Sequence, residues 1–137
     1  MIVTVSVITE SDSRRPNLPE GIGFRLITDH GNAMTIQTSD TPEVEQWAVE
    51  QGYIVPARVT SGRFQLALKA KDSAVYAAVR QMIDADEDLR LAAGEPYFNR
   101  GSTTISGLQA QLQSMGFSQV TDEWVDDVFR DAFLWEL

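Results

Sequence analysis

The chain of 137 residues contains no cysteine and a single histidine. Without cysteine it cannot form a disulfide bond, a thiolate metal site or a thiol nucleophile. His30 lies in a predicted hairpin turn beside Asp29, with no second imidazole or serine-based motif to complete a recognisable catalytic group. The glycines form no phosphate-binding or dinucleotide-binding fingerprint. These absences predict a protein that is not an enzyme and holds no cofactor.

Long hydrophobic runs and basic residues are also scarce. Residues 2–8 alternate like a strand, lack a basic flank and are too short for a signal-peptide core, and no stretch approaches the ~20 apolar residues that span a bilayer. The chain has 11 lysines and arginines and 20 acidic residues, which gives a net charge of −9. Such a surface repels nucleic acid and anionic membranes. We therefore expect a cytoplasmic protein that binds neither directly.

The first 83 residues predict two strand-strand-helix units after an N-terminal strand at residues 2–8. Strands at 24–28 and 34–38 flank a turn containing Gly31 and Asn32, and Thr41 caps a helix that closes at Gly52. Strands at 53–60 and 63–70 then flank Ser61-Gly62, before a helix capped by Asp72. Residues 10–21 have no periodicity and predict a long loop. Pro56 places the fourth strand at a sheet edge or a bulge.

The last third of the chain is predicted to be helical. Helices are predicted at 86–93, at 104–115 with Gly116 as terminator, and after Thr121, whose side chain can cap the final helix. The predicted fold is α+β, with a mostly antiparallel sheet in residues 1–83 and a helical part, residues 84–137, packed on it. Two strand-strand-helix units are too few for a stacked repeat, so we expect residues 1–137 to form one domain.

Charge is segregated along the chain. Acids dominate the predicted helices, whereas residues 58–80 carry five basic side chains against Asp72 alone. In the final helix Glu123, Asp127 and Asp131 recur every four residues, a like-charge spacing that costs a few tenths of a kcal/mol per pair, while Asp126 can pair with Arg130. An acidic face of this kind suits a basic partner, although it also serves solubility. The predicted partner-binding acids are Glu123, Asp126, Asp127, Asp131, Glu43, Glu45 and Glu50.

A second candidate surface lies between two predicted helices. Tyr97, Phe98 and Arg100 occupy a predicted loop, and tyrosine and arginine dominate binding hot spots. We expect one of the two rings to join the core. If both rings were exposed, they would indicate a partner-binding surface.

The acidic segment at residues 84–95 leaves two interpretations open. Asp84, Asp86, Asp88 and Glu95 match positions 1, 3, 5 and 12 of a calcium-binding loop, but Leu89 occupies the glycine position and Pro96 follows the last ligand. Alternatively, Asp84 caps a short helix and Glu87 reaches back to it.

Two functions remain open at this point. The first is a small acidic cytoplasmic binding protein, a monomer or homodimer, that occupies the basic site of a nucleic-acid-binding effector as a DNA mimic. In composition alone it is similar to phage and mobile-element inhibitors of anti-CRISPR or anti-restriction type, which act in the host cytoplasm, and to immunity proteins. The second is a structural or assembly protein, such as a small virion or scaffold component, that acts through self-association. An enzyme with a carboxylate-only site is a third class, and converging acids with raised pKa values would indicate it.

Overall fold

The computed structural model describes residues 1–10 and 13–135, and it confirms the α+β class. The chain groups into two compact units, Met1–Ile54 and Val55–Leu137, which we call unit 1 and unit 2. The expectation of a single domain stays a prediction. Among the described residues, no helix is long and apolar enough to cross a bilayer.

The described part of unit 1 forms four antiparallel strands and one helix. The elements are β1 (Ile2–Glu10), β2 (Ser13–Pro16), β3 (Phe24–Asp29), β4 (Ala33–Thr38) and α1 (Pro42–Glu50). The strands lie in the order β2-β1-β4-β3. The predicted hairpin is confirmed: β3 pairs with β4, and Gly31 adopts a φ of 88° in the turn. Thr41 caps α1 by accepting a hydrogen bond from the Val44 amide.

The core of unit 1 lies on one face of this sheet. Val3 pairs with Ile36 and Val5 with Met34, and all four side chains are buried. Residues directly opposite each other in an antiparallel pair share a face, so β1 and β4 supply one apolar surface. Trp47 of α1 packs against it. Tyr53 contacts the Trp47 ring, and its hydroxyl forms a hydrogen bond of 2.9 Å with the Ser6 hydroxyl of β1.

Unit 2 is mainly helical. Its elements are β5 (Arg58–Thr60), α2 (Ser61–Lys71), α3 (Ser73–Ala85), α4 (Glu87–Ala93), β6 (Tyr97–Asn99), α5 (Thr103–Ser114) and α6 (Asp122–Leu134). The short strands β5 and β6 pair antiparallel, with Val59 opposite Phe98. Phe64 of α2 contacts the rings of Phe98 and Phe129, at centroid distances of 5.0 and 5.5 Å. These three rings join β6, α2 and α6 in one core.

The second predicted hairpin is wrong. Ser61 and Gly62 form the first turn of α2 instead of a strand turn, and residues 63–70 are helical. The Thr60 hydroxyl accepts a hydrogen bond from the Arg63 amide and so caps the helix. Phe64, Ala67 and Leu68 are buried at helical spacing, whereas Leu66 is exposed. Over this stretch the apolar residues fit both the alternation of a strand and the spacing of a helix. The Thr60 cap favours the helix.

Three other segments also differ from the prediction. The loop predicted at residues 10–21 contains β2, which pairs with the second half of β1. The strand predicted at residues 53–60 is confined to β5 (Arg58–Thr60), so Pro56 precedes that strand and lies outside the sheet. Its partner, β6, falls inside the part predicted to be helical. Each of these pairings depends on residues distant in sequence or on a short edge strand, which a local pattern does not reveal.

Asp72 connects α2 and α3 without a linker. Its amide donates to the Leu68 carbonyl at the end of α2, and its carboxylate accepts from the Ala74 and Val75 amides at the start of α3. The same carboxylate accepts a hydrogen bond from Gln119. Asp72 therefore ends one helix and begins the next, which confirms its predicted role as a cap.

Candidate functional surface

The most regular charged feature of unit 2 is an acidic ridge on α6, which we define as Glu123, Asp127 and Asp131. All three side chains are exposed, while Val125, Val128 and Phe129 on the opposite side of the helix are buried. Four residues of helix rise about 6 Å, so the three carboxylates form a row. The predicted spacing of these three acids along one side of a helix is confirmed.

Hydrogen bonds to α5 fix the beginning of α6. The Thr121 hydroxyl caps the helix by accepting from the Trp124 amide. Gln109 donates to the Asp122 carboxylate at 2.9 Å, and Gln113 donates to the Val120 carbonyl at 2.7 Å. Anchored at this end and buried along one side, α6 presents the acidic ridge from a rigid position.

The predicted pairing of Asp126 with Arg130 is wrong. Arg100, immediately after β6, donates from Nε to the Asp126 carboxylate at 2.6 Å, and also to the Asp122 carbonyl. Both side chains of this ion pair are about three-quarters buried. Asp126 and Arg100, two of the predicted partner-binding residues, are therefore engaged with each other inside unit 2.

Arg130 pairs instead with Asp127, three residues earlier. The two side chains lie 3.0 Å apart, and the Asp127 side chain is 53% exposed. Exposed ion pairs contribute about 0–1 kcal/mol, so this contact can be exchanged for another cation at little cost. Among the described residues, Glu123 and Asp131 have no ion-pair partner.

The acids predicted on the first helix belong to unit 1. Glu43 and Glu50 are exposed and seven residues apart, which places them on the same side of α1, whereas Glu45 is half-buried and lies elsewhere on the circumference. Gln46 donates to the Glu50 carboxylate at 3.1 Å. This helix therefore presents two separated carboxylates and no continuous row.

Only one of the two candidate rings at residues 97 and 98 is at the surface. Phe98 is buried in the unit 2 core, as expected for one of the two, and Tyr97 is 44% exposed. The condition set for a partner surface, exposure of both rings, is not met. The sequence did not reveal that Arg58 lies over the Tyr97 ring, 4.4 Å from its centroid. The pairing of β5 with β6 brings these residues together across 39 positions.

The acidic segment at residues 84–95 is arranged as helix ends. Asp86, and not Asp84, caps α4 by accepting from the Asp88 and Leu89 amides. Asp84 lies in the last turn of α3, 4.0 Å from Arg80. No group of three or more histidine or acidic side chains within residues 1–10 and 13–135 is arranged to hold a metal ion.

The core cavity of unit 2 is apolar, and the shifted carboxyl pKa values are explained by hydrogen-bond partners. A cavity of about 20 Å³ in the unit 2 core is lined by apolar side chains and Gln109, with no ionisable group. Among residues 1–10 and 13–135, two carboxyl groups have a shifted pKa, and both shifts are downward. Arg14 lowers the pKa of Asp29, and the Gln119 hydrogen bond lowers that of Asp72. A carboxyl group that acts as a general acid near neutral pH needs a raised pKa. The absence of catalysis stays a prediction.

Comparisons with known protein families, with curated proteins and with solved structures find no match to this chain.

Proposed function

We propose that this protein is a small cytoplasmic binding protein whose acidic ridge docks onto a basic site of another protein. The partner we favour is an effector that uses that basic site to hold nucleic acid, so the ridge acts as a DNA mimic and the protein as an inhibitor. Anti-CRISPR, anti-restriction and immunity proteins are the classes with this mode of action. The proposal applies to a monomer or a homodimer.

The row of exposed carboxylates carries this proposal. Glu123, Asp127 and Asp131 repel one another along the helix, which costs a few tenths of a kcal/mol per neighbouring pair, and the exposed ion pair of Asp127 with Arg130 offsets part of that cost. A row of cations on a partner removes that repulsion and replaces it with attraction. Complementary potential also accelerates encounter and fixes the register of the complex.

The surroundings of the ridge support docking over mere solubility. Its helix is anchored by α5 and by the Arg100–Asp126 ion pair, so little conformational entropy is lost when the ridge is covered. Asp126 is held in the largely buried ion pair with Arg100, so it stabilises the fold and leaves the outer row for contact. A solubilising surface needs charge but not this fixed geometry.

Charge reversal tests the proposal. The ridge variant carries Glu123→Lys, Asp127→Lys and Asp131→Lys. The matched control carries Glu20→Lys, Asp84→Lys and Glu95→Lys, which changes the net charge equally at three exposed positions off α6. Wild-type and control proteins should capture the same partner from a host lysate, and the ridge variant should not. Each should keep its circular dichroism spectrum.

The captured partner supplies the second measurement. Its affinity for the wild-type protein should fall as salt is added, because salt screens exposed charges. Nucleic acid should compete with the protein for the partner. Capture by the ridge variant at undiminished affinity, or a complex that nucleic acid leaves intact, would contradict the proposal.

A further inference from the structure

The two outermost strands of the unit 1 sheet differ in how well they are protected. β2 is four residues long and carries Arg14, Arg15 and Pro16, which are features that natural proteins use to block pairing at a sheet edge. β3 contains no lysine or proline, and all six of its side chains are exposed. Its protective features are the register shift between Leu26 and Thr28 and two charged residues of opposite sign, Arg25 and Asp29.

The exposed side chains of β3 include three large apolar groups. Phe24, Leu26 and Ile27 are between 44 and 49% exposed. Leu26 lies opposite Ile36, which is completely buried, and Phe24 lies opposite Thr38, which is also buried. Both side chains therefore extend the core face of the sheet up to its edge, where no described residue covers them fully.

The backbone of β3 determines what can bind beside it. Within the described residues no strand pairs with its outer side, and an outer strand presents a row of unpaired amide and carbonyl groups. Only an extended strand can satisfy such a row along its length. Burial of Phe24 and Leu26 requires that the added strand also bring apolar side chains to the core face.

A second copy of this chain meets both requirements. Two identical edge strands related by a twofold axis perpendicular to the sheet run antiparallel, and the axis makes the contact self-complementary. β3 has one cation, Arg25, and one anion, Asp29, toward opposite ends, so an antiparallel copy brings unlike ends together. Arg25 is held by Gln37, and Asp29 by Arg14, within the same unit. A basic partner protein would gain no net electrostatic attraction from β3, because the charges of Arg25 and Asp29 cancel.

We propose that two copies of the protein associate through antiparallel pairing of β3 with β3, which joins their four-stranded sheets into one of eight strands. The interface buries Phe24 and Leu26 of both copies on the core face. This contact uses unit 1 and does not depend on the acidic ridge. The two interactions respond oppositely to salt: each copy carries a charge of −9, so screening strengthens the dimer, whereas it weakens binding of a basic partner.

Sedimentation velocity on the purified full chain tests the dimer. The wild-type protein should shift from monomer to dimer as its concentration rises, with a lower dissociation constant at higher salt. Leu26→Lys should raise that constant at least ~10-fold, because it introduces like charges at the pairing edge. Ile27→Lys should act in the same direction. Leu91→Lys makes the same change at an exposed site on α4 and should leave the constant unchanged.

Amide hydrogen exchange provides a check on the location. The amides of β3 should become protected as the wild-type dimer forms, while those of β2 should not change. A wild-type protein that stays monomeric at every concentration and salt level would overturn the proposal. So would a folded Leu26→Lys variant that dimerises as well as the wild type, or a Leu91→Lys variant that loses the dimer equally.

Discussion

Unit 1 and unit 2 differ in how their apolar side chains are grouped. Among the described residues of unit 2, 18 buried side chains form one cluster that includes Phe64, Phe98 and Phe129. The corresponding cluster of unit 1 has four buried members, while Phe24, Leu26 and Ile27 stay exposed on its outer strand. Unit 2 also has exposed large apolar side chains, such as Leu66 on α2 and Leu91 on α4, but these lie on different helices, whereas the three of unit 1 lie together on β3.

The largest expected effect is the removal of a ring from the unit 2 core. Phe129 is fully buried and contacts Phe64, so Phe129→Ala should lower the free energy of unfolding by about 3–5 kcal/mol. Urea denaturation followed by tryptophan fluorescence measures it. Leu66→Ala, at an exposed position of α2, is the control and should change stability by less than ~0.5 kcal/mol. Similar values for the two variants would contradict the assignment of the core.

The next effect distinguishes two ion pairs of equal length, one in each unit. Arg100–Asp126 and Arg14–Asp29 both measure 2.6 Å, but the side chains of the first are the more buried. Arg100→Ala should cost about 1–2 kcal/mol, because it leaves a half-buried carboxylate without its cation. A double-mutant cycle with Asp126→Asn isolates the coupling. A coupling energy near zero would show that the ion pair does not hold α6 in place.

Removing the cap at Asp72 should have a smaller effect. Asp72→Ala should cost about 1 kcal/mol, since the Ala74 and Val75 amides lose their acceptor. The folded pKa of Asp72 is below its unfolded value of about 3.9. Its charge-dependent contribution is therefore complete well above pH 4 and is lost as the pH falls through the folded pKa.

Asp72→Asn separates the cap from the charge. Its amide oxygen can still accept at the start of α3, but it does not titrate. Thermal melts between pH 2 and pH 6, a range of about four units around the ordinary aspartate pKa, should show a shallower acid dependence for Asp72→Asn than for the wild type. Parallel curves for the two proteins would show that the Asp72 charge contributes nothing.

The smallest effect concerns the exposed ion pair of unit 1. The Arg14 guanidinium holds the pKa of Asp29 below its usual range, and Arg14→Gln should raise that pKa toward the ordinary value. An NMR titration of the Asp29 carboxyl carbon measures the change directly. Arg15→Gln, which removes the neighbouring charge paired with Glu10 at 3.4 Å, is the control. An equal shift in both variants would indicate general electrostatics instead of the specific pair.

The elements that the sequence predicts correctly are those with a local chemical cause. The β3–β4 hairpin has a glycine able to adopt positive φ, and Gly116 ends α5 with a φ of 97°. Thr41 and Thr121 each cap a helix through a side chain that accepts an amide hydrogen bond. These signals act within three or four residues, so a single sequence is enough to find them.

The features that the sequence did not predict depend on distant partners. β5 and β6 are three residues each and gain their strand conformation from one another. The pairing of Asp126 with Arg100 spans 26 positions, and nothing near either residue indicates it. The candidate acidic ridge was predictable because helical spacing alone sets it. The ion pairs formed next to the ridge, Asp126 with Arg100 and Asp127 with Arg130, were not predictable from that spacing.

The single-residue corner at Asp72 limits how this chain can change in length. Because the Asp72 amide donates to α2 while its carboxylate accepts from the first amides of α3, one inserted residue would prevent a single side chain from making both sets of bonds. Tolerated insertions and engineered tags should therefore be sought at sites such as Gly94, where the exposed backbone leaves α4. At residue 72, by contrast, even one added glycine should abolish the native arrangement of the two helices.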